Sequence, residues 1–228
     1  SVTGVQTCAL PIFIIPELCI GCGNCEAACP PAANAIKYNH NSKELTSLLP
    51  KCVDAGAESI ELHAGVPDDE STMDEWKVVS ESVPNGMISM CLDRKHLSNE
   101  MLMERIRLAQ KIADDRLIIQ ADGIPMSGGT DDFNTTLQAV SIADFINKEI
   151  KQKDKIFSKL PVLISGGTNS YTGELARNCG VPFNGITIGT HARKVIRKFE
   201  TKPDEMSNEN LQMALNNAKK LIINNLKS

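Results

Sequence analysis

The 228-residue sequence predicts an α/β fold: the C-terminal part, about five βα units, of a (β/α)8-like barrel, behind a short cysteine-rich segment. Two observations predict it. From about residue 43 onward, stretches with apolar residues at helical spacing alternate with short β-rich runs, the pattern of repeated βα units around a parallel sheet. The last two runs end in glycine turns that lead into helices, Gly166-Gly167 and Gly189-Thr190. These resemble the paired phosphate-binding loops that barrels place after strands seven and eight. A doubly wound open sheet is the competing architecture, and the glycine loops favour the barrel.

The elements follow in order. Residues 1–12, SVTGVQTCALPI, share neither the periodicity nor the charge pattern of the rest. They resemble a peptide produced when sequencing-adapter DNA is translated, and are set aside together with Cys8; an ordinary processed N-terminus is the alternative. Residues 13–42 form the cysteine-rich segment and residues 43–228 the partial barrel with a terminal helix. Leu45 to Ala57 reads as a helix and Glu58 to Leu62 as a strand ending at His63-Ala64-Gly65. Met87 to Leu92 is a strand ending at Asp93, and Leu102, Ile106, Ala109 and Ala113 mark a helix. The strand Leu117 to Ala121 ends in Asp122-Gly123, a long connection, Ile124 to Asn134, follows it, and the loop Gly123 to Asp132 is a candidate lid. Leu137, Val140, Ala143, Ile146 and Ile150 mark the next helix, and Val162 to Ser165 and Gly185 to Ile188 the last two strands. The closing helix carries Leu211, Ala214, Leu215, Ala218, Leu221 and Ile222 on one face, expected to pack on the core. If the last two strands are seven and eight, three further strands are expected upstream of the cysteines.

Four of the eight cysteines, Cys19, Cys22, Cys25 and Cys29, fall within eleven residues and precede Pro30. This C-x2-C-x2-C-x3-C-P run is that of a bacterial-type ferredoxin, in which three thiolates wrap one 4Fe–4S cube and the fourth cysteine serves the other cluster of a two-cluster protein. Gly21 and Gly23 let the backbone come close. A zinc knuckle or plain buried cysteines are the alternatives. One run leaves the Cys19/Cys22/Cys25 cluster short of a fourth ligand. Either an upstream segment is missing, or a remote cysteine among Cys52, Cys91 and Cys179 completes a single cluster, although each of these reads as a core thiol.

Charge and hydropathy narrow the class. With 24 Lys+Arg against 28 Asp+Glu, the chain has no basic field for gripping a phosphate backbone, so nucleic-acid binding is not expected. No run approaches the ~18 apolar residues of a membrane span. The short stretch Ala9 to Ile15 lacks a basic leader, since the first basic residue is Lys37. The expectation is a cytoplasmic protein, or a stromal one if its source carries plastids.

Taken together, CIGCGNCEAACP at 19–30, QADGIPMSGG at 120–129, ISGGTN at 164–169 and ITIGTHARK at 186–194 resemble the light-dependent period A (LdpA) family over roughly residues 13–200. Members of that family are iron–sulfur proteins that convey cellular redox state to the circadian clock. The resemblance implies protein partners in redox or clock signalling, and two 4Fe–4S clusters in the full-length protein. Family members carry a further N-terminal segment and cysteine group before this run, so the sequence is expected to be an N-terminally truncated piece.

Strand ends are where barrels keep chemistry, which nominates His63, Asp93, Asp122, Thr168, Asn169, Thr190 and His191. His191, ahead of Arg193 and Lys194, is suited to an anion. One functional reading is a redox sensor or electron carrier. Another is a flavin-dependent oxidoreductase, in which the cluster feeds electrons to FMN whose phosphate rests on Gly166, Gly167, Gly189 and Thr190. A cluster that only pins a degenerate barrel together is the third. No proton donor stands out, and only nine residues are aromatic, so a non-enzymatic role is favoured and catalytic residues are left unassigned.

Overall fold

The computed structural model describes residues 15, 24–29, 36, 42–124, 132–197, 199 and 207–226. The chain divides into two compact units, Ser1–Ser42 and Lys43–Ser228. In the first, a short helix α1 spans Asn24–Ala28, and the Cys29 amide donates to Glu26 O at 3.0 Å just past its end.

The second unit is α/β. Its strands are β1 (Ile60–His63), β2 (Ile88–Leu92), β3 (Leu117–Asp122), β4 (Val162–Ser165) and β5 (Gly185–Ile186). All neighbouring pairs are parallel and the order is β1-β2-β3-β4-β5, with no reversal of the kind a doubly wound sheet requires. The helices are α2 (Ser42–Asp54), α3 (Asp69–Ser82), α4 (Asn99–Ala113), α5 (Asp132–Ile146), α6 (Thr172–Asn178), α7 (Thr190–Arg197) and α8 (Asn208–Leu226).

Period-two alternation divides the sheet into two unlike faces. Ile88, Met90 and Leu92, Leu117, Ile119 and Ala121, and Val162 and Ile164 belong to one continuous apolar core with Trp76 of α3 and with Leu102, Ile106 and Ala109 of α4. Helix α5 joins it through Ala139, Ala143 and Ile146, and packs on β3 and β4. Trp76 is wholly buried and donates its indole N–H to Ala109 O at 3.1 Å, so its payload is apolar while its one polar atom stays paired. The opposite face follows from the register, in which His63 pairs with Cys91, Cys91 with Gln120, and Asp122 with Ser165. It is polar: the Gln120 amide donates to Ser89 Oγ at 2.9 Å and to the Glu61 carboxylate.

Several expectations need correction. Helix α3 was not anticipated, yet it has a clear start: Asp68 accepts from the Ser71 amide at 3.2 Å as its N-cap. Strand β5 is shorter than the expected Gly185 to Ile188, although Thr187 N still reaches Ile164 O at 2.9 Å. Most of the apolar stripe of α8 is not core. Leu211, Leu215 and Ile222 are 44%, 54% and 57% exposed, and Leu221 alone of the named large aliphatics is buried. What ties α8 down is polar: Asn225 accepts from the Gly173 amide at 2.9 Å and donates to Asn169 O at 3.1 Å. Most of the candidate lid, residues 125–131, lies outside the described residues. No helix among the described residues is long and apolar enough to cross a membrane.

Candidate functional site

A cleft of about 300 Å³ opens at the C-terminal ends of the strands. Glu61, Cys91, Asp122 and Ser165 line it from the polar face of the sheet, while the turns after β4 and β5 and the first residues of α7 complete it.

The wall at β1–β3 is acidic. Asp122, the last residue of β3, is 1% exposed, and neither carboxylate oxygen has a hydrogen-bond partner. The Cys91 thiol and Ser165 hydroxyl are beside it and favour the carboxylate, but neither makes a hydrogen bond of good geometry to it. Burial therefore pushes the Asp122 carboxyl up to about 6, against the opposing influence of the thiol and of His63. Burial, and then the charges of Asp122 and Glu61, push the Cys91 thiol far above its ordinary range. His63 Nε2 is 3.6 Å from Asp93 Oδ2, and that partner raises the imidazole pKa. Burial works against ionising Asp93, yet His63 and the Lys95 amide, at 2.8 Å, hold its carboxyl below the usual range.

Arg105 of α4 positions this wall. Fully buried, it donates to Ala64 O and Val66 O, both at 2.5 Å, and to Asp69 Oδ1 at 2.8 and 2.5 Å. It thereby clamps the turn that leaves β1 directly after His63. A side chain at Gly65 would displace the Asp93 carboxylate, because a Cβ there would lie 2.2 Å from Asp93 Oδ2.

The wall at β4 and β5 is built from backbone. Gly166 and Gly167 have φ of +73° and +63°, the left-handed region that favours glycine. A Cβ on Gly166 would fall 2.2 Å from Asp122 Oδ1, and one on Gly167 2.4 Å from the Thr135 side chain. Thr136 Oγ1 donates to Gly167 O at 2.9 Å and fixes the turn. Gly189, Thr190, His191, Arg193 and Lys194 line the cleft around the N-terminus of α7. His191 Nε2 is 3.1 Å from Ser170 Oγ, and Arg193 donates to Thr190 Oγ1 at 3.2 Å. Backbone N–H groups at a helix start, with cations in its first turns, suit an anion.

The structure thus brings His63 and Asp93 together beside the cleft-lining Asp122 at one wall, and places Gly166, Gly167, Gly189, Thr190 and His191 on the other. Thr168 also lines the cleft, its hydroxyl donating to Thr187 O at 2.6 Å, whereas Asn169 serves the scaffold, its side chain accepting from the Tyr171 amide at 2.9 Å. Sequence reasoning missed Glu61 and Arg105 and read Cys91 as a plain core thiol. The available signal was the pairing of polar residues two apart on consecutive strands: Glu61 and His63, Ser89 and Cys91, Gln120 and Asp122. Cys179, expected in the core, is exposed after α6, and Cys52 is half-buried.

Of the cysteine run, Cys25 is exposed in α1 and Cys29 is half-buried. Cys19 and Cys22 lie outside the described residues. A 4Fe–4S binding domain model matches residues 12–33, which span the run. No curated protein matches the chain. The model of the light dependent period A C-terminal domain matches residues 51–227, which take in the whole sheet and both walls of the cleft, and the chain therefore belongs to the light dependent period A family.

Proposed function

We propose that this is an iron–sulfur redox protein, a redox sensor or electron carrier whose thiolate run is the redox centre. The observation that carries the reading is the presence in one chain of the C-x2-C-x2-C-x3-C-P run, matched as a 4Fe–4S binding domain, and the family's C-terminal domain. Cys19, Cys22 and Cys25 are the ligands proposed for one 4Fe–4S cluster, and Cys29 for a second. The described part of the run fits, since Cys25 is exposed, and in the sequence Gly21 and Gly23 flank Cys22 with no side chains to crowd a cube. A bound cluster supplies one-electron exchange. The rest of the chain then reads as five consecutive strands of a (β/α)8-like barrel, a reading supported by the unbroken strand order and the polar second face. The proposed partners are proteins of redox signalling, and the circadian link follows the family. A potentiometric titration of the anaerobically reconstituted chain, followed by electron paramagnetic resonance, tests this. A reversible one-electron signal is expected, and a chain that assembles no reducible cluster contradicts it.

The cleft favours a second reading. Two left-handed glycines, the α7 N-terminus and three basic residues suit a phosphate-bearing ligand, and FMN there would make the protein a flavin-dependent oxidoreductase. The volume of about 300 Å³ is at the small end for ligand pockets, and no aromatic side chain among the described residues lines it to stack a flavin ring. Flavin fluorescence in the supernatant of the heat-denatured protein supports this reading, and its absence removes FMN.

A further inference from the structure

We propose that His63, Cys91 and Asp122 form a binding site for one divalent transition-metal ion of the zinc or ferrous class, at the floor of the strand-end cleft. Their ligand atoms, one from each side chain, all lie within 4.8 Å of one another. Three adjacent parallel strands present them: His63 ends β1, its register partner Cys91 is on β2, and Asp122 ends β3. The inference goes beyond the iron–sulfur reading and does not depend on the cysteine run.

The independent observation is Asp122 itself. A carboxylate that is 1% exposed, lines the cleft and has no hydrogen-bond partner on either oxygen is a group the fold maintains at a cost. Buried charges of this kind are ordinarily paired or coordinate metals. The protein crowds the position further: Gly166 lies so close to Asp122 Oδ1 that no side chain would fit there, while Glu61 and Asp93 add negative charge around the thiol. A divalent cation answers all of these at once.

The donor set selects the class of ion. Magnesium and calcium take oxygen ligands, whereas one imidazole nitrogen, one thiolate and one carboxylate oxygen make a mixed set suited to zinc or iron. Tetrahedral bonds of about 2.0–2.3 Å hold ligand atoms roughly 3.5 Å apart, so side-chain rotations of about an ångström close the site. His63 has room to rotate, its side chain being 40% exposed. Asp93, held by the Lys95 amide at 2.8 Å, is placed to steer it. Three protein ligands leave a fourth position open toward the cleft, the coordination of a zinc that meets substrate or water rather than one that only braces a fold.

The test is a cobalt(II) titration of the full chain with Cys19, Cys22, Cys25 and Cys29 changed to Ser, so that their thiols cannot contribute. Expected are a thiolate-to-cobalt charge-transfer band saturating at one ion per chain, its loss with Cys91→Ser, and binding at least about tenfold weaker with His63→Gln. As a check that does not need the multiple variant, the wild-type chain purified with added zinc should hold one more zinc per chain than Cys91→Ser does. A band that survives Cys91→Ser, the absence of any band, or equal zinc in the two proteins overturns the proposal.

Discussion

The ends of β1–β3 put carboxylates and a thiol against the cleft, with the His63 imidazole beside them, whereas the ends of β4 and β5 put glycine backbone, threonines and the basic first turns of α7 against it. The two walls are made differently as well. The acidic wall depends on side chains fixed by long-range partners, such as Arg105 reaching 41 positions back along the chain to Ala64. The glycine wall depends on local backbone conformation, with φ of +73° and +63° at consecutive residues. One sheet therefore sets the proposed cation site beside the proposed anion site, and each should fail in its own way when disturbed.

The largest effect is expected on the acidic wall. Arg105→Met removes a buried guanidinium and leaves the carbonyls of Ala64 and Val66 without their donor, which should cost about 3–5 kcal/mol in urea unfolding. A cost below about 1 kcal/mol would mean that the turn after β1 holds itself.

Asp122→Asn should act in the opposite direction. In the folded protein the carboxyl binds its proton more tightly than in the unfolded chain, with a pKa raised from 3.8 to about 6. As pH rises through that window the unfolded state releases its proton first, so stability falls and stays lower above it. The asparagine variant lacks this loss and should be more stable than wild type by roughly 3 kcal/mol at about pH 7 when metal-free. Saturating zinc should narrow or reverse the difference, because the variant lacks one of its ligands. A wild-type unfolding free energy that is flat between about pH 4 and 6 would sink this account of the wall.

On the other wall, Gly166→Ala places a Cβ against Asp122 and Gly123 at a left-handed φ, while Gly180→Ala meets the same backbone penalty, φ +68°, in open space. The Gly180 change should cost about 1–2 kcal/mol and the Gly166 change more, measured as the difference in unfolding free energy between the two. Equal costs would show that the contacts with Asp122 and Gly123 carry no energy. Arg193→Ala, a change on the rim of the cleft, should alter stability by less than about 0.5 kcal/mol while weakening inorganic phosphate binding by calorimetry.

How much of this was legible in the sequence depended on range. The ferredoxin-type run declares itself within eleven residues, and the glycine turns declare themselves because Gly166 and Gly167 punctuate a strand end. The nominations of His63, Asp93 and Asp122 came from position alone. That Cys91 lies diagonally beside Asp122, two residues beyond its register partner Gln120, required the register of β2 on β3, which no local pattern encodes. The pull of an apolar strand, ISMCL, hid the cysteine as core. Arg105 was invisible for the same reason: an arginine amid a helical apolar stripe reads as a solvated residue until the turn it clamps is in place. The apolar face of α8 misled in the other direction, since periodicity shows that a helix has a face but not that anything covers it.

The central claim, that the thiolate run is a redox cofactor site, is tested most directly by iron and acid-labile sulfide analysis of the anaerobically reconstituted chain, alone and with Cys22→Ser, Cys91→Ser and Cys179→Ser. About four irons and four sulfides per chain are expected in the wild type, together with a broad visible absorbance that Cys22→Ser abolishes and the other two substitutions spare. Iron and sulfide unchanged by Cys22→Ser would contradict the claim, and loss in Cys91→Ser or Cys179→Ser equal to that in Cys22→Ser would contradict the separation of the two sites.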